Sequence, residues 1–156
     1  MTQQPDPFFQ PVSAMELARF AGVPTFMRLP ELSPDHVRFS DVDLGILGVP
    51  WDGGTTNRPG ARHGPRQLRD LSTMIRAMNP VTGVAPFASV NCADMGDVPP
   101  NPVDIQDNLN RVADFVSAMT VQNIVPMTAG GDYLDFQMQF GKIGHCDSRR
   151  PNERTS

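Results

Sequence analysis

The chain has no long apolar run. No stretch approaches the roughly 18–20 apolar residues that cross a bilayer as a helix, which excludes a membrane-spanning helix. Cysteine is scarce, and Cys92 and Cys146 alone make no disulfide framework, so a reduced, cytoplasmic protein is expected. Basic charge is outweighed, with 13 Lys and Arg against 17 Asp and Glu and a net charge of -4. Neither a basic patch nor a basic helix is visible, which argues against a nucleic-acid or anionic-membrane partner. Met1–Gln10 has no positive segment leading into an apolar one, so it does not read as a secretory signal. Both glycine-rich phosphate cradles, G-x-x-x-x-G-K-[ST] and G-x-G-x-x-G, are missing, and there is no internal repeat. The hydrophobic fraction of 39% is low, but 13 Gly bring the chain close to the globular average of about 45–50%. With 156 residues there is room for one domain with a core.

What is present is an alternation of strand and helix signals. Residues 1–40 are rich in Pro and polar groups with scattered Phe, and read as an arm lying over something apolar, with a short helix around Ala14–Phe20. In Asp41–Pro50, Leu44, Ile46, Leu47 and Val49 make a nearly unbroken apolar run, as in a strand buried on both faces of a parallel sheet. Pro65 is placed to open a helix, in which Leu68, Leu71, Ile75 and Met78 form one apolar stripe before Asn79-Pro80 stops it. Ser89–Val98 reads as a second strand. Asp104 is placed to cap a helix whose Ile105, Leu109, Val112, Val116 and Met119 share a face. Asn123–Asp132 is a third strand running into a Gly-Gly turn, although Pro126 counts against a central position. Strand, helix, strand, helix, strand implies a helix-covered parallel α/β sheet, with ligands beyond the carboxyl ends of the strands. The loops Trp51–Pro65, Ala93–Pro100 and Ala129–Tyr133 would share that rim.

Four features carry chemical groups. The Gly-rich loop "GVPWDGGTTNRPGARHGP" offers Asn57, Arg58, Arg62 and His63 beside glycines that let backbone approach a ligand. Its other reading is a long loop with solvated arginines. Asp94 and Asp97 form a candidate acid pair, or two exposed turn-forming aspartates. "GGD" at Gly130–Asp132 is a sharp turn after a strand. His145, Cys146 and Asp147 offer imidazole, thiol and carboxylate as a metal trio or as an accident of spacing. Cys92 reads as a small core residue.

In order, "GILGVPWDGGTTNRPGARHGPRQLR", "MIRAMNPVTGVAPFASVNCADMGDV" and "NIVPMTAGGD" resemble the successive blocks of agmatinase-type ureohydrolases, a family that includes guanidinobutyrases and guanidinopropionases. The resemblance runs from about Gly22 to Gly144. It implies a three-layer α/β/α arginase-like fold with a parallel sheet, here truncated after about three to four strands. It also implies two Mn²⁺ ions bridged by a hydroxide that attacks the carbon of a small guanidino compound, releasing urea and an amine. Family members form oligomers, so a homo- or hetero-oligomer is implied.

The metal positions depart from the family pattern. Tyr133 stands where the family has a His after Gly-Gly-Asp, and a phenol of pKa about 10 is a poor ligand at neutral pH. The closest match to the next motif, His-x-Asp-x-His-x-Asp, is "HCDSRRP", which keeps Asp147 but puts Arg149 and Pro151 at the following ligand positions. The family's later Ser-x-Asp-x-Asp motif has no counterpart in this sequence. Asp147 is therefore the one metal ligand the resemblance assigns. The implied layout is an arm (1–40), a partial ureohydrolase α/β domain (41–144) and a polar tail (145–156) that reads as disordered. The expected function is family-type hydrolysis with a chain inactive on its own. The alternatives are a non-catalytic partner of full-length subunits or a pseudogene-like frameshift product.

Overall fold

The computed structural model describes residues 6–130. Its centre is a parallel sheet of three strands, β1 (Leu44–Gly48), β2 (Cys92–Asp97) and β3 (Val125–Ala129), in the order β2-β1-β3. β1 pairs with β2 from Leu44↔Cys92 and with β3 from Leu44↔Val125. Two helices make the crossovers, α1 (Gly64–Ser72) and α2 (Ile105–Val121). The strand–helix alternation therefore folds as the sequence pattern predicts.

The helices lie on opposite faces. A Cβ on Gly45 would come within 2.5 Å of Met119 Cε, on the α2 side, whereas one on Gly48 would meet Pro65 Cβ at 2.8 Å, on the α1 side. Odd and even residues of β1 thus face different layers, as the period of two requires. The α2 side holds the main core: Leu47, Ala93 and Met95 from the sheet, Val112, Val116 and Met119 from α2, and Ile124. Asp104 caps α2 through Oδ1, which accepts Gln106 N–H at 2.8 Å and Asp107 N–H at 3.1 Å. A smaller cluster on the α1 side joins Leu29, Phe87 and Cys92, with Leu44 and Ile46 against it.

The N-terminal segment belongs to this packing. Phe9, Leu32 and Phe39 are buried in the α2-side core. Glu31 bridges to Asp94, with Leu32 N–H donating to Asp94 O and Asp94 N–H donating to Pro30 O, both at 2.9 Å. That short pairing covers the outer edge of β2, an edge that would otherwise offer unpaired backbone. The short helix expected around Ala14–Phe20 does not form. Turns occupy the segment instead, Glu16 and Leu17 N–H donating to Ser13 O, and Met15 and Phe20 are exposed because no helical period of apolar residues exists to bury.

Among the described residues β3 is an edge strand, and that position accommodates Pro126. Val125 N–H donates to Asp43 O at 2.8 Å, so alternation along a parallel strand turns the nitrogen of Pro126 away from β1. The expected α1 stripe fares differently. The helix ends at Ser72, before Ile75 and Met78, and Leu68, Leu71, Ile75 and Met78 are all exposed. The residues α1 buries are Pro65 and Ser72, with Arg69 between them.

Candidate functional site

Parallel strands end at one edge, and three chain segments meet there. Gly48 leads into the loop 51–63, Gly96 and Asp97 end β2, and Gly130 follows β3. Gly48 has to be glycine, since a Cβ would overlap Asp97 Oδ1 as well as Pro65. Gly130 has φ +82°, and a Cβ there would lie 2.7 Å from Pro65 Cδ. The rim foreseen from the order of elements is therefore a real junction, closed around Pro65.

Asp52 organises the loop. Its buried carboxylate accepts Gly60 N–H at 2.6 Å and Arg62 N–H at 3.3 Å through Oδ2, and pairs with Arg62 Nε at 2.6 Å through Oδ1. Burial by itself raises the Asp52 pKa. The two backbone N–H groups and the Arg62 guanidinium outweigh burial and leave it below the ordinary carboxylate value. Arg62 is thus committed to holding the loop. Asn57, Arg58 and His63 are exposed along it, Arg58 in the left-handed region at φ 56°.

Asp94 is not an exposed turn former. It lies inside β2, fully buried, and Arg69 grips it with two bonds, Nε to Oδ2 at 2.8 Å and Nη2 to Oδ1 at 2.9 Å. Oδ2 also accepts Phe26 N–H at 2.8 Å and Oδ1 accepts Gly96 N–H at 2.9 Å. The remaining Arg69 nitrogen, Nη1, reaches Asp97 Oδ1 at 2.6 Å, and the guanidinium lies 4.3 Å from the Phe26 ring centre. Burial by itself lowers the Arg69 pKa, but the two aspartates raise it well above the usual arginine value. One side chain on α1 therefore joins helix, strand end and N-terminal segment. Next to it Ser72 Oγ accepts Met27 N–H at 2.8 Å.

Asp52 and Arg69 are functional to the rim yet do not stand out in the sequence. A signal for Arg69 exists: Pro65, Arg69 and Ser72, at i, i+4 and i+7, share one side of α1 and face a strand whose Asp94 cannot be buried unpaired. For Asp52 the signal is the Asp-Gly-Gly that opens a loop needing internal acceptors. Cys92 is buried as expected, and burial followed by the nearby Asp43 raises its thiol pKa.

The carboxylates at this rim do not fit a metal. Asp94, Asp97 and Asp52 are each tied to an arginine, and among the described residues no three His, Cys, Asp or Glu side chains gather. Asp132, Tyr133, His145, Cys146, Asp147, Arg149 and Pro151 lie outside the described residues.

The sequence and fold both match known proteins. The model of the Arginase family covers residues 42–134, spanning all three strands, both helices and the rim loops. This chain belongs to the arginase family. It is 46% identical over 125 residues to a guanidinopropionase of Pseudomonas aeruginosa, a match covering 80% of this chain and 38% of that protein. It is 42% identical to the human mitochondrial guanidino acid hydrolase, covering 80% and 34% respectively. Among solved structures, proclavaminate amidino hydrolase of Streptomyces clavuligerus superposes with a TM-score of 0.67 at 35% identity, over 74% of this chain and 37% of that one. The arginase-like α/β fold and the relation to ureohydrolases are thereby established, and the matches span little more than a third of each relative's length. No helix among the described residues is long and apolar enough to cross a membrane.

Proposed function

We propose that this arginase-family chain supplies the rim and scaffold of a ureohydrolase-type site, and that alone it does not hydrolyse guanidino compounds. The reaction of that site is cleavage of a small guanidino compound to urea and an amine, with Mn²⁺ supplying the hydroxide nucleophile when bound. One observation carries the scaffold role: Asp52, Asp94 and Asp97 at the described rim are each ion-paired to Arg62 or Arg69, so these carboxylates hold the chain together. The departures at Tyr133, Arg149 and Pro151 support the same reading, because of the four ligand positions that the resemblance places in this stretch they leave only Asp147. Two cysteines with no disulfide framework fit a reduced compartment, the cytoplasm.

The test uses the full chain incubated with Mn²⁺, then gel-filtered, analysed for metal, and assayed for urea from agmatine, guanidinobutyrate and guanidinopropionate. The expected result is far less than one Mn per chain and urea at background. A stoichiometric Mn pair with urea release would overturn it. A second reading, a non-catalytic partner of other arginase-family polypeptides, is favoured by a separate observation: α1 turns its leucines outward.

A further inference from the structure

Away from the rim, the return from α1 to β2 encloses a cavity. Residues 73–91 run from the end of α1 to the amino end of β2, and part of that stretch lines a space of about 630 Å³, within the usual size of a small-molecule site. Phe87, itself buried, lines it together with Met27, Ile75, Met78 and Val84. The lining is built without a ligand. Asn79 Oδ1 accepts Val81 N–H at 2.9 Å and Thr82 N–H at 3.3 Å. Asn79 N–H donates to Val84 O and Gly83 N–H to Asn79 O, both at 2.9 Å, so residues 79–84 are a turn closed on itself. Met27 is pinned too, its N–H on Ser72 Oγ at 2.8 Å and its backbone left-handed at φ 54°. The polar side chains of the lining are Arg76, Asn79 and Thr82. Arg76 has no carboxylate partner among the described residues, and no described Asp or Glu lines the cavity. Asn79 uses its oxygen in the turn and keeps its N–H2, while the Thr82 hydroxyl accepts Val84 N–H at 3.4 Å and keeps its O–H. The groups that remain are all donors, and one carries a full positive charge.

We propose that this cavity binds a small monocarboxylate with an apolar body, the carboxylate on Arg76 and Asn79 and the hydrocarbon against Met27, Met78 and Phe87. Charge complementarity selects the head. A guanidinium presents parallel N–H groups that match the two oxygens of a carboxylate, whereas an ammonium head would meet donors alone and be repelled. The lining selects the body. An inorganic anion would satisfy Arg76 but leave five large apolar side chains in water, and burying those is what a hydrocarbon adds. Two of the five are methionines, whose unbranched, polarizable chains adapt to hydrocarbon of varied shape. The volume has room for a medium-length chain such as octanoate. The site lies apart from the strand ends that form the rim, so it stands or falls independently of the scaffold role proposed above.

The test titrates the full chain with octanoate by calorimetry, and follows the methionine methyl groups by NMR. Saturable one-to-one binding is expected, with a Kd of about 1 mM or tighter. The methyl signals of Met27 and Met78 should move, and those of Met15 and Met127, exposed elsewhere, should not. Octylammonium has the same body and the opposite head, and should bind at least tenfold more weakly. Arg76→Gln, at an exposed position, should keep the far-UV circular dichroism of the fold, weaken octanoate about tenfold and abolish the preference for it over octylammonium. Five results would overturn the proposal. They are no saturable binding by the folded chain, equal binding of the two heads by the wild type, and methyl shifts at Met15 and Met127 as large as those at Met27 and Met78. The fourth is a shift of Met27 and Met78 on dilution as a dimer dissociates, which would make a second copy the occupant. The fifth is tighter octanoate binding on deleting residues 131–156, which would make it the chain's own tail. None of these readouts involves urea release or Mn²⁺, so they leave the test of the scaffold role separate.

Discussion

Replacing Arg69 by methionine keeps most of the side chain's length and apolar stem and removes its charge. Asp94 would then be a buried carboxylate holding the Phe26 and Gly96 N–H bonds but no cation. Breaking a buried pair in this way costs about 3–5 kcal/mol, because the remaining charge stays out of water uncompensated. The bond to Asp97, whose side chain is 39% exposed, adds only about 0–1 kcal/mol after screening by solvent. The stacking on Phe26 adds about 0.5–1 kcal/mol. A loss of about 4 kcal/mol is thus expected, a large part of the ~5–15 kcal/mol that holds an ordinary domain. With an m-value of about 2 kcal/mol/M, the urea midpoint followed by circular dichroism should fall by about 2 M. Adding Asp94→Asn to the same chain removes the stranded charge and should recover more than half of that loss, a coupling that a double-mutant cycle reads directly. A midpoint shift under about 0.5 M for Arg69→Met, or no recovery in the double variant, would show that the triad does not hold the sheet end.

Asp52 should make the loop acid-sensitive. Its folded pKa is depressed, so its contribution is present above the unfolded value of about 3.9 and is lost as pH falls through the folded value. Limited proteolysis between residues 52 and 62 should accelerate in that range, and Asp52→Asn should show the faster cleavage already at pH 7. Gly48→Ala forces a methyl group into Asp97 and Pro65 and should lower stability by about 1–3 kcal/mol, read as a fall in thermal midpoint. Cys92, buried with a raised thiol pKa, should resist iodoacetamide at pH 7.5 in a Cys146→Ser chain until urea unfolds it; labelling at the rate of a free thiol would contradict its burial.

Much of the fold was written locally. The apolar run Leu44–Val49 demanded a buried strand, Asp104 marked the start of α2 within one residue, and the spacing of Val112, Val116 and Met119 named the face that meets the sheet. The alternation of strand and helix then left a parallel sheet with its rim at the strand ends, and the Gly-rich loop between Trp51 and Pro65 lay there because chain order put it after the first strand. Periodicity names the residues that share a side of an element. It does not say which side meets the core, and for α1 that decision was tertiary. Asp94, buried in a strand, needed a cation, and the one supplied lies 25 residues earlier on the polar side of the helix. Seating that pair turned Leu68 and Leu71 outward, and it changed Asp94 from an apparent surface turn former into a link between three segments. Local sequence determines propensity and pattern, because those act over a few residues. Charge compensation acts between groups that only the fold brings within 3 Å, so it was decided there.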